Sequence, residues 1–408
     1  MPAAPRQTDI AIVGAGPHAL TLTLRLLREP GVDRNQLVAL DPSGDWLQQW
    51  RQRFAALGIP QLRSPSVHHP HPEARALRAF ARARNRTSEL HAPYQRPSTA
   101  LFNDFCRHAI GRWQLAQQLR AGWVSDIVSV EGGFRLPLAD GAAIAARRVV
   151  LAVGGGRLTW PEWVRRIQTA YPPERLRHAY QLDLRQLPLA GDRVAIVGGG
   201  QTAARLALGA IARGARVTLL VRRALRVRQF DTDPGWLGPK RLRAFWAQPD
   251  WQARRAVIAQ ARGGGSVPPG VMAQLERAQQ HRQLAIAAPC EVSEARWQGQ
   301  RWQLHCSDGR QRIADRIWLA TGESFDAAQL PLLQGVRAAH PAPLVGGLPV
   351  LDEQLRWPGC QLHVMGGLAA LQLGPVARNL SGARMASERI AAALVPQRRS
   401  PVATGTAR

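Results

Sequence analysis

The chain has 408 residues, 45% of them hydrophobic, and its 54 Lys and Arg against 28 Asp and Glu leave a formal charge of +26. That length predicts about two to three domains with a sizeable core, while no apolar run approaches the roughly 18 residues of a membrane-spanning helix and polar Met1–Thr8 carries no signal-peptide pattern, so a soluble cytoplasmic protein is expected. Lys240 is the only lysine, and the arginines are spread along the chain instead of gathered in a stripe, which argues against a nucleic-acid partner.

The first informative stretch is Asp9–Ala19. Ile10–Val13 is a short apolar run, the pattern of a strand buried on both faces. Gly14-Ala15-Gly16-Pro17-His18-Ala19 follows, then a helical pattern over Leu20–Leu27. Strand, glycine turn and helix make the dinucleotide fingerprint G-x-G-x-x-G/A. Gly14 allows the tight turn, Gly16 admits a pyrophosphate next to the backbone, and Pro17 and His18 open a helix whose free N–H groups suit phosphates. The second strand, Gln36–Leu40, ends at Asp41, where an acidic residue binds a ribose hydroxyl and repels a 2'-phosphate. The predicted ligand is therefore an unphosphorylated adenosine, as in FAD or NAD.

Trp46 and Trp50 then share a helix face and are candidates either to wall a flavin or to fill core. The loop Leu62–Pro72 is polar and proline-punctuated, and Arg63, Ser64 and His69 are its candidate catalytic residues. Its histidines His68, His69 and His71 lack an acidic or Cys partner at ligand spacing, so no metal is expected. Ser98–Ala121 reads as one helix. Val124–Val130, Gly133–Leu138 and Ala143–Ala145 read as a small meander, with Val124 on the cofactor side. Arg148–Val153 reads as a buried strand ending at Gly154, close to the cofactor.

Leu158–Ala190 reads as a linker rich in Pro and Arg. A second fingerprint follows, Arg193–Val197 leading into Gly198-Gly199-Gly200-Gln201-Thr202-Ala203 and a helix over Ala204–Ala212. The next strand, Arg216–Val221, ends in Arg222-Arg223 where the first unit ends in Asp41, and guanidiniums there accept a 2'-phosphate. NADPH is expected on this unit, bound through Gly198, Gly200, Gln201, Thr202, Arg222 and Arg223. Gln229–Ala288 reads as a mostly helical insert. Strands at Glu294–Trp297, Arg301–Cys306 and Arg316–Ala320 close on Gly322, repeating the plan that ends at Gly154. Gln361–Gly367 reads as a strand with a glycine pair, and Gly374-Pro375 opens a helix reaching about Leu394. Gly367, Gly374 and Pro375 are expected near the pyrimidine end of a flavin, with Gln372 as a further catalytic candidate. Pro396–Arg408 has no periodicity and reads as a disordered tail.

The expected architecture is α/β: two Rossmann-like three-layer domains, with residues 1–160 and 320–395 forming an FAD-binding domain and residues 190–319, including the insert 229–288, an NADPH-binding domain inserted in it. The paired fingerprints, Gly14–Asp41 and Gly198–Arg223, with the strands ending at Gly154 and Gly322, resemble the two-dinucleotide-binding-domain flavoproteins over nearly the whole chain. The four cysteines, Cys106, Cys290, Cys306 and Cys360, form no C-x-x-C pair, unlike those of the glutathione- and thioredoxin-reductase relatives. Gln229-Phe230-Asp231-Thr232-Asp233-Pro234, following the arginines, is similar to the Asp-bearing insert of the lysine/ornithine N-hydroxylases among class B flavin monooxygenases. The Asn-Glu pair usual after that Asp is missing, and of the F-x-G-x-x-x-H-x-x-x-W/F stretch only His178 stands, so an amino-acid substrate is not implied. The resemblance implies FAD and NADPH as cofactors. It also implies O2 and a small nucleophilic nitrogen or sulfur compound, or a carbonyl, as substrates, with oxygen delivered by a C4a-hydroperoxyflavin. The alternative is a flavin reductase or oxidase that hydroxylates nothing. Association with further copies of the chain stays open.

Overall fold

The computed structural model describes residues 6–154 and 156–395; the terminal stretch Pro396–Arg408, read above as a tail, lies outside them. Two sheets, the first mixed and the second parallel, organise the chain. The first places Arg6–Val13 at its centre, between Leu37–Asp41 and Ala143–Leu151. Ile10 pairs with Leu37 on one side and Arg148 on the other. Both faces of such a strand are covered, which is why Ile10–Val13 is uninterrupted apolar sequence.

Ala143–Leu151 is one nine-residue strand instead of a meander fragment plus a separate strand. Its first half pairs antiparallel with Gly133–Pro137, and its second half pairs parallel with Leu362–Val364. The far C-terminal segment thereby returns to the first sheet beside Gly154. Ser98–Ala121 is not one helix either. The helix Thr99–Arg112 is followed by a short 3-10 turn and then by Leu119–Ala121, which pairs with Leu37–Asp41 at the sheet edge.

The second sheet runs Leu176–His178, Arg316–Leu319, Arg193–Val197, Arg216–Leu220, Leu284–Ala287, all parallel. Two of these strands lay in stretches read differently: Leu176–His178 within the supposed linker, and Leu284–Ala287 within the supposed insert. Each is three or four residues long, too short to show a period against its polar surroundings. Side chains alternate between two cores: Val194 and Ile196 face one, Ala195, Ile317 and Leu319 the other. The antiparallel Val292–Trp297, Trp302–Cys306 and Gln311–Ala314 cover that second face with fully buried Trp302.

The chain crosses between the sheets twice, and the crossings pair with each other as Arg157–Leu158 against Glu323–Ser324. The insert bridges the sheets as well. Trp236, Leu242, Phe245 and Ile258 pack into the first core, whereas Val271 and Leu275 of helix Pro269–Gln280 pack into the second.

Candidate functional site

Helices Pro17–Leu26 and Gln201–Ile211 both begin on a glycine N-cap, Gly16 and Gly200, with no side chain capping the free N–H groups. Helices Thr99–Arg112 and Trp251–Arg262 instead use Ser98 and Asp250 for that purpose. An uncapped amino end with its positive dipole is what a phosphate needs. Gly14 has φ +110, and a Cβ on it would stand 2.7 Å from the Ala152 carbonyl oxygen. Gly198 repeats this, with φ +143 and 2.5 Å to Ala320 O. Gly16, by contrast, has nothing within 4 Å of a built Cβ. Gly14 is required by the fold and Gly16 is left open beside the helix end, so the first turn fits a dinucleotide diphosphate. Gly154 and Gly322, at φ +77 and +82, also have no neighbour within 4 Å of a built Cβ.

Asp41 ends the strand Leu37–Asp41, beside the first glycine turn. Its Oδ2 accepts from Ala15 N at 3.0 Å and its Oδ1 from Ser43 N at 3.0 Å, which fixes the carboxylate at the turn. His18 reaches across to the C-terminal segment, its Nε2 lying 3.0 Å from Ala377 O, and burial lowers its pKa and keeps it neutral. Val124 is nearly buried and bridges to Leu138.

The second unit is partly covered by its own insert. Arg223 donates to Gly263 O, and Arg226 donates to the same carbonyl at 3.2 Å. Gly263 is the C-cap of helix Trp251–Arg262, so the two guanidiniums hold the negative end of that helix. The Cα of Gly265 lies 3.7 Å from a Cβ built on Gly200. Arg222 is exposed and, among the described residues, has no recorded hydrogen bond or ion pair. Arg222 is thus left exposed beside the strand end, and the loop 263–265 lies against the second glycine turn.

Between the two units lies a cavity of ≈ 240 Å³. The first unit lines it with Trp50, Phe54, Arg63 and Ser64, the second with Gln201, Thr202 and Arg205. Trp50 stacks on Phe54 with ring centroids 4.2 Å apart. Arg63 is tied to the insert: its Nε donates to Gln229 O at 2.7 Å, and one terminal nitrogen donates to Arg228 O at 2.8 Å and Ser266 Oγ at 2.7 Å. Burial lowers Arg63 to about 10, with Asp231 opposing the shift. It remains a cation at neutral pH. Asp231 accepts from Arg262 at 2.9 Å and from Asn379 at 3.1 Å, and Arg262 also donates to Pro375 O at 2.6 Å. Burial raises the Asp231 pKa, but Arg262, Arg378 and Arg63 outweigh it and hold the carboxylate ionised.

Several sequence candidates fall elsewhere. Trp46 is 2% exposed and its Nε1 donates to Leu115 O at 3.0 Å, so it is core, not a flavin wall. His69 is 1% exposed, edge-on to Phe105, with Nε2 3.2 Å from Ala74 O. It lines neither of the two inter-unit cavities, and burial lowers its pKa to about 4. Gln372 is buried and braces two segments: its Nε2 donates to Leu351 O at 2.6 Å and its backbone carbonyl accepts from Trp246 Nε1. Gly367 is covered by the Phe325 ring, which a Cβ would meet at 2.5 Å, so packing accounts for the glycine. Gly374, φ +74, and Pro375 are buried where helices of the insert dock. Phe54, Arg96 and Arg205 were missed; a lone Arg one turn along an Ala/Leu helix was the available signal for the last. Cysteine spacing also concealed that Cys290 and Cys306 meet with Asp308, their ligand atoms within 4.8 Å. Arg312 already holds both Asp308 oxygens, at 3.0 and 2.5 Å, and burial pushes Cys290 up to about 12.

Comparison with known proteins agrees with this geometry. A family described as FAD-NAD(P)-binding matches residues 11–156, and L-lysine 6-monooxygenase/L-ornithine 5-monooxygenase matches residues 135–324. Together the two matches span residues 11–324, and they make the chain similar to the two-dinucleotide-binding-domain flavoproteins, with FAD and NADPH as cofactors. This flavoprotein is similar in fold to an ornithine N-hydroxylase of Kutzneria sp. 744, with TM-score 0.77 and 18% identity over 95% of this chain and 99% of that one. A cadaverine monooxygenase of Erwinia amylovora gives TM-score 0.74 at 18% identity, covering 98% and 99%. A bacillithiol disulfide reductase of Staphylococcus aureus gives 0.63 at 15%, covering 95% and 98%. No curated protein matches the sequence. Among the described residues, no helix of the flavoprotein is long and apolar enough to cross a membrane.

Proposed function

We propose that this protein is an FAD-containing, NADPH-dependent monooxygenase that adds one oxygen atom to a small nucleophilic nitrogen or sulfur compound or to a carbonyl. The observation that carries the reading is a cavity with walls from both units, Trp50, Arg63 and Ser64 on one side and Gln201 and Thr202 on the other. Gly16 and the uncapped helix end behind it would hold the FAD diphosphate, with Asp41 at the adenosine ribose. Arg222 and Arg223 would hold the 2'-phosphate of NADPH. When bound, the flavin supplies hydride acceptance and oxygen activation, and the protein supplies binding, orientation and exclusion of water.

This chain's residues are suited to that supporting part. Trp50 and Phe54 make an apolar wall, and Arg63 places a fixed positive charge at the cavity edge. The Arg262–Asp231–Asn379 pairing holds the segment around Pro375 in place. Catalytic roles for Arg63 and Ser64 belong to this proposal. The substrate is a small molecule and the protein works in the cytoplasm, without nucleic acid or membrane. A second reading, electron transfer to a small acceptor without hydroxylation, has support from the same fold in a disulfide reductase.

The experiment is turnover under ¹⁸O₂ with NADPH and a panel of amines, thiols and ketones. The proposal expects one labelled oxygen in a product. NADPH oxidation across the panel with no labelled product contradicts it and favours the second reading.

A further inference from the structure

We propose that Arg96 and Arg205 form an anion-binding subsite, taking a carboxylate or a phosphoryl group, in a recess next to the cavity shared by the two units. The recess, ≈ 90 Å³, is bounded by Gln61, Arg63, Gln201 and Gly270 as well as the two arginines. Arg205 lies one turn along helix Gln201–Ile211, on the same face as Gln201. It is 9% exposed, its Nε is buried without a partner, and among the described residues it has no recorded hydrogen bond or ion pair.

Arg96, from the first unit, is also 9% exposed. It spends Nε on Pro93 O at 3.2 Å and one terminal nitrogen on Ala92 O at 2.7 Å, and it has no recorded carboxylate partner among the described residues. Burial lowers the Arg205 pKa, and the charge of Arg96 lowers it further. The helix Pro269–Gln280 adds its amino end, with no capping side chain, on the same recess.

Two buried guanidiniums and a helix amino end that line one recess repel one another, and burial of a charge is costly unless it is paired. An oxyanion supplies the missing charge and the acceptors, because guanidinium forks match carboxylate and phosphate oxygens. The recess has room for such a group but not for a nucleoside. It shares Gln61, Leu62, Arg63, Gln201 and Arg205 with the larger cavity, so the rest of an anionic ligand would lie along Trp50 and Phe54. The anion is the acid group of the molecule being oxidised or the diphosphate of the coenzyme. Binding of an anion here requires neither turnover nor oxygen, so it stands or falls separately from the monooxygenase reading.

The test is calorimetric titration of the purified full-length protein with inorganic phosphate at constant ionic strength, alongside Arg205→Gln and Arg205→Lys. Saturable binding, weakened at least tenfold in Arg205→Gln and partly restored in Arg205→Lys, supports the subsite. Thermal melts give a second readout. Phosphate should raise the melting temperature of the wild type and not of Arg205→Gln, which without phosphate should be at least as stable as the parent. Absence of saturable binding, or equal affinity in wild type, Arg205→Gln and Arg96→Gln, overturns the proposal. Repeating the titration with saturating NADP+ separates the sources, both of which support the subsite. Competition assigns it to the coenzyme diphosphate, and unchanged phosphate affinity assigns it to the acid group of the substrate.

Discussion

Replacing Gly16 by Ala separates a glycine that serves the ligand from one that serves the fold. At φ −75 and ψ −175, Gly16 has a backbone conformation that alanine adopts without strain, and nothing stands within 4 Å of the added methyl. Reduced freedom of the unfolded chain favours the variant by about 0.4–1 kcal/mol. Alanine is a poorer N-cap than glycine by a comparable ~0.5–1 kcal/mol. The apoprotein should therefore keep its stability to within about 1 kcal/mol. The methyl would project between the helix end and the FAD diphosphate. Loss of one hydrogen bond to a charged group costs about 1.5–3 kcal/mol, which is roughly a 10- to 100-fold weaker FAD complex. Gly14→Ala should do the reverse: at φ +110 and 2.7 Å from the Ala152 oxygen, the new Cβ strains the apoprotein itself, by roughly 1–3 kcal/mol from the backbone alone. Thermal melts of the apoproteins and flavin titrations read the two effects. Gly16→Ala binding FAD as tightly as the parent would refute the placement of the diphosphate.

Other outcomes follow from the same geometry. Arg222→Ala with Arg223→Ala should raise KM for NADPH by about 10-fold or more, the worth of one or two charge-assisted contacts, and leave KM for NADH nearly unchanged; equal effects would show that these arginines do not read the phosphate. Trp46→Ala should cost about 3–5 kcal/mol of stability, as for a buried aromatic, whereas Trp50→Phe should keep the fold and alter kinetics at the cavity; urea unfolding and steady-state assays compare the two. His68 and His69 fall from 6.5 to about 4 through burial, so the unfolded chain binds more protons between those values. Stability is therefore fully present above about pH 6.5 and is lost as pH falls toward about 4, and His69→Gln should flatten that slope in urea melts taken across the window.

Sequence revealed what repeats locally. Both fingerprints were legible because strand, glycine turn and helix are contiguous, and the contrast between Asp41 and Arg222-Arg223 needs no long-range information. Leu176–His178 and Leu284–Ala287 were not legible, since a three- or four-residue strand is defined by its neighbours in the sheet. Trp46 and Trp50 look alike in sequence, but Trp46 turns inward to Leu115 while Trp50 meets the cavity. His69 and Gln372 drew attention as polar residues in promising loops, and each lies buried inside the fold. Arg205 was passed over because its one local mark, a lone Arg on an Ala/Leu helix, is weak in a chain of 54 basic residues; the approach of Arg96 from another unit is what makes it unusual.

On the proposed function, reducing equivalents pass from a phosphorylated nicotinamide on the second unit to a flavin on the first, across the cavity they share. Anaerobic mixing of the FAD-loaded protein with NADPH, and separately with NADH, tests it most directly by following the flavin absorbance. NADPH should bleach the flavin, and at low concentration should do so much faster than NADH. A fully loaded flavin that stays oxidised in the presence of NADPH would contradict it.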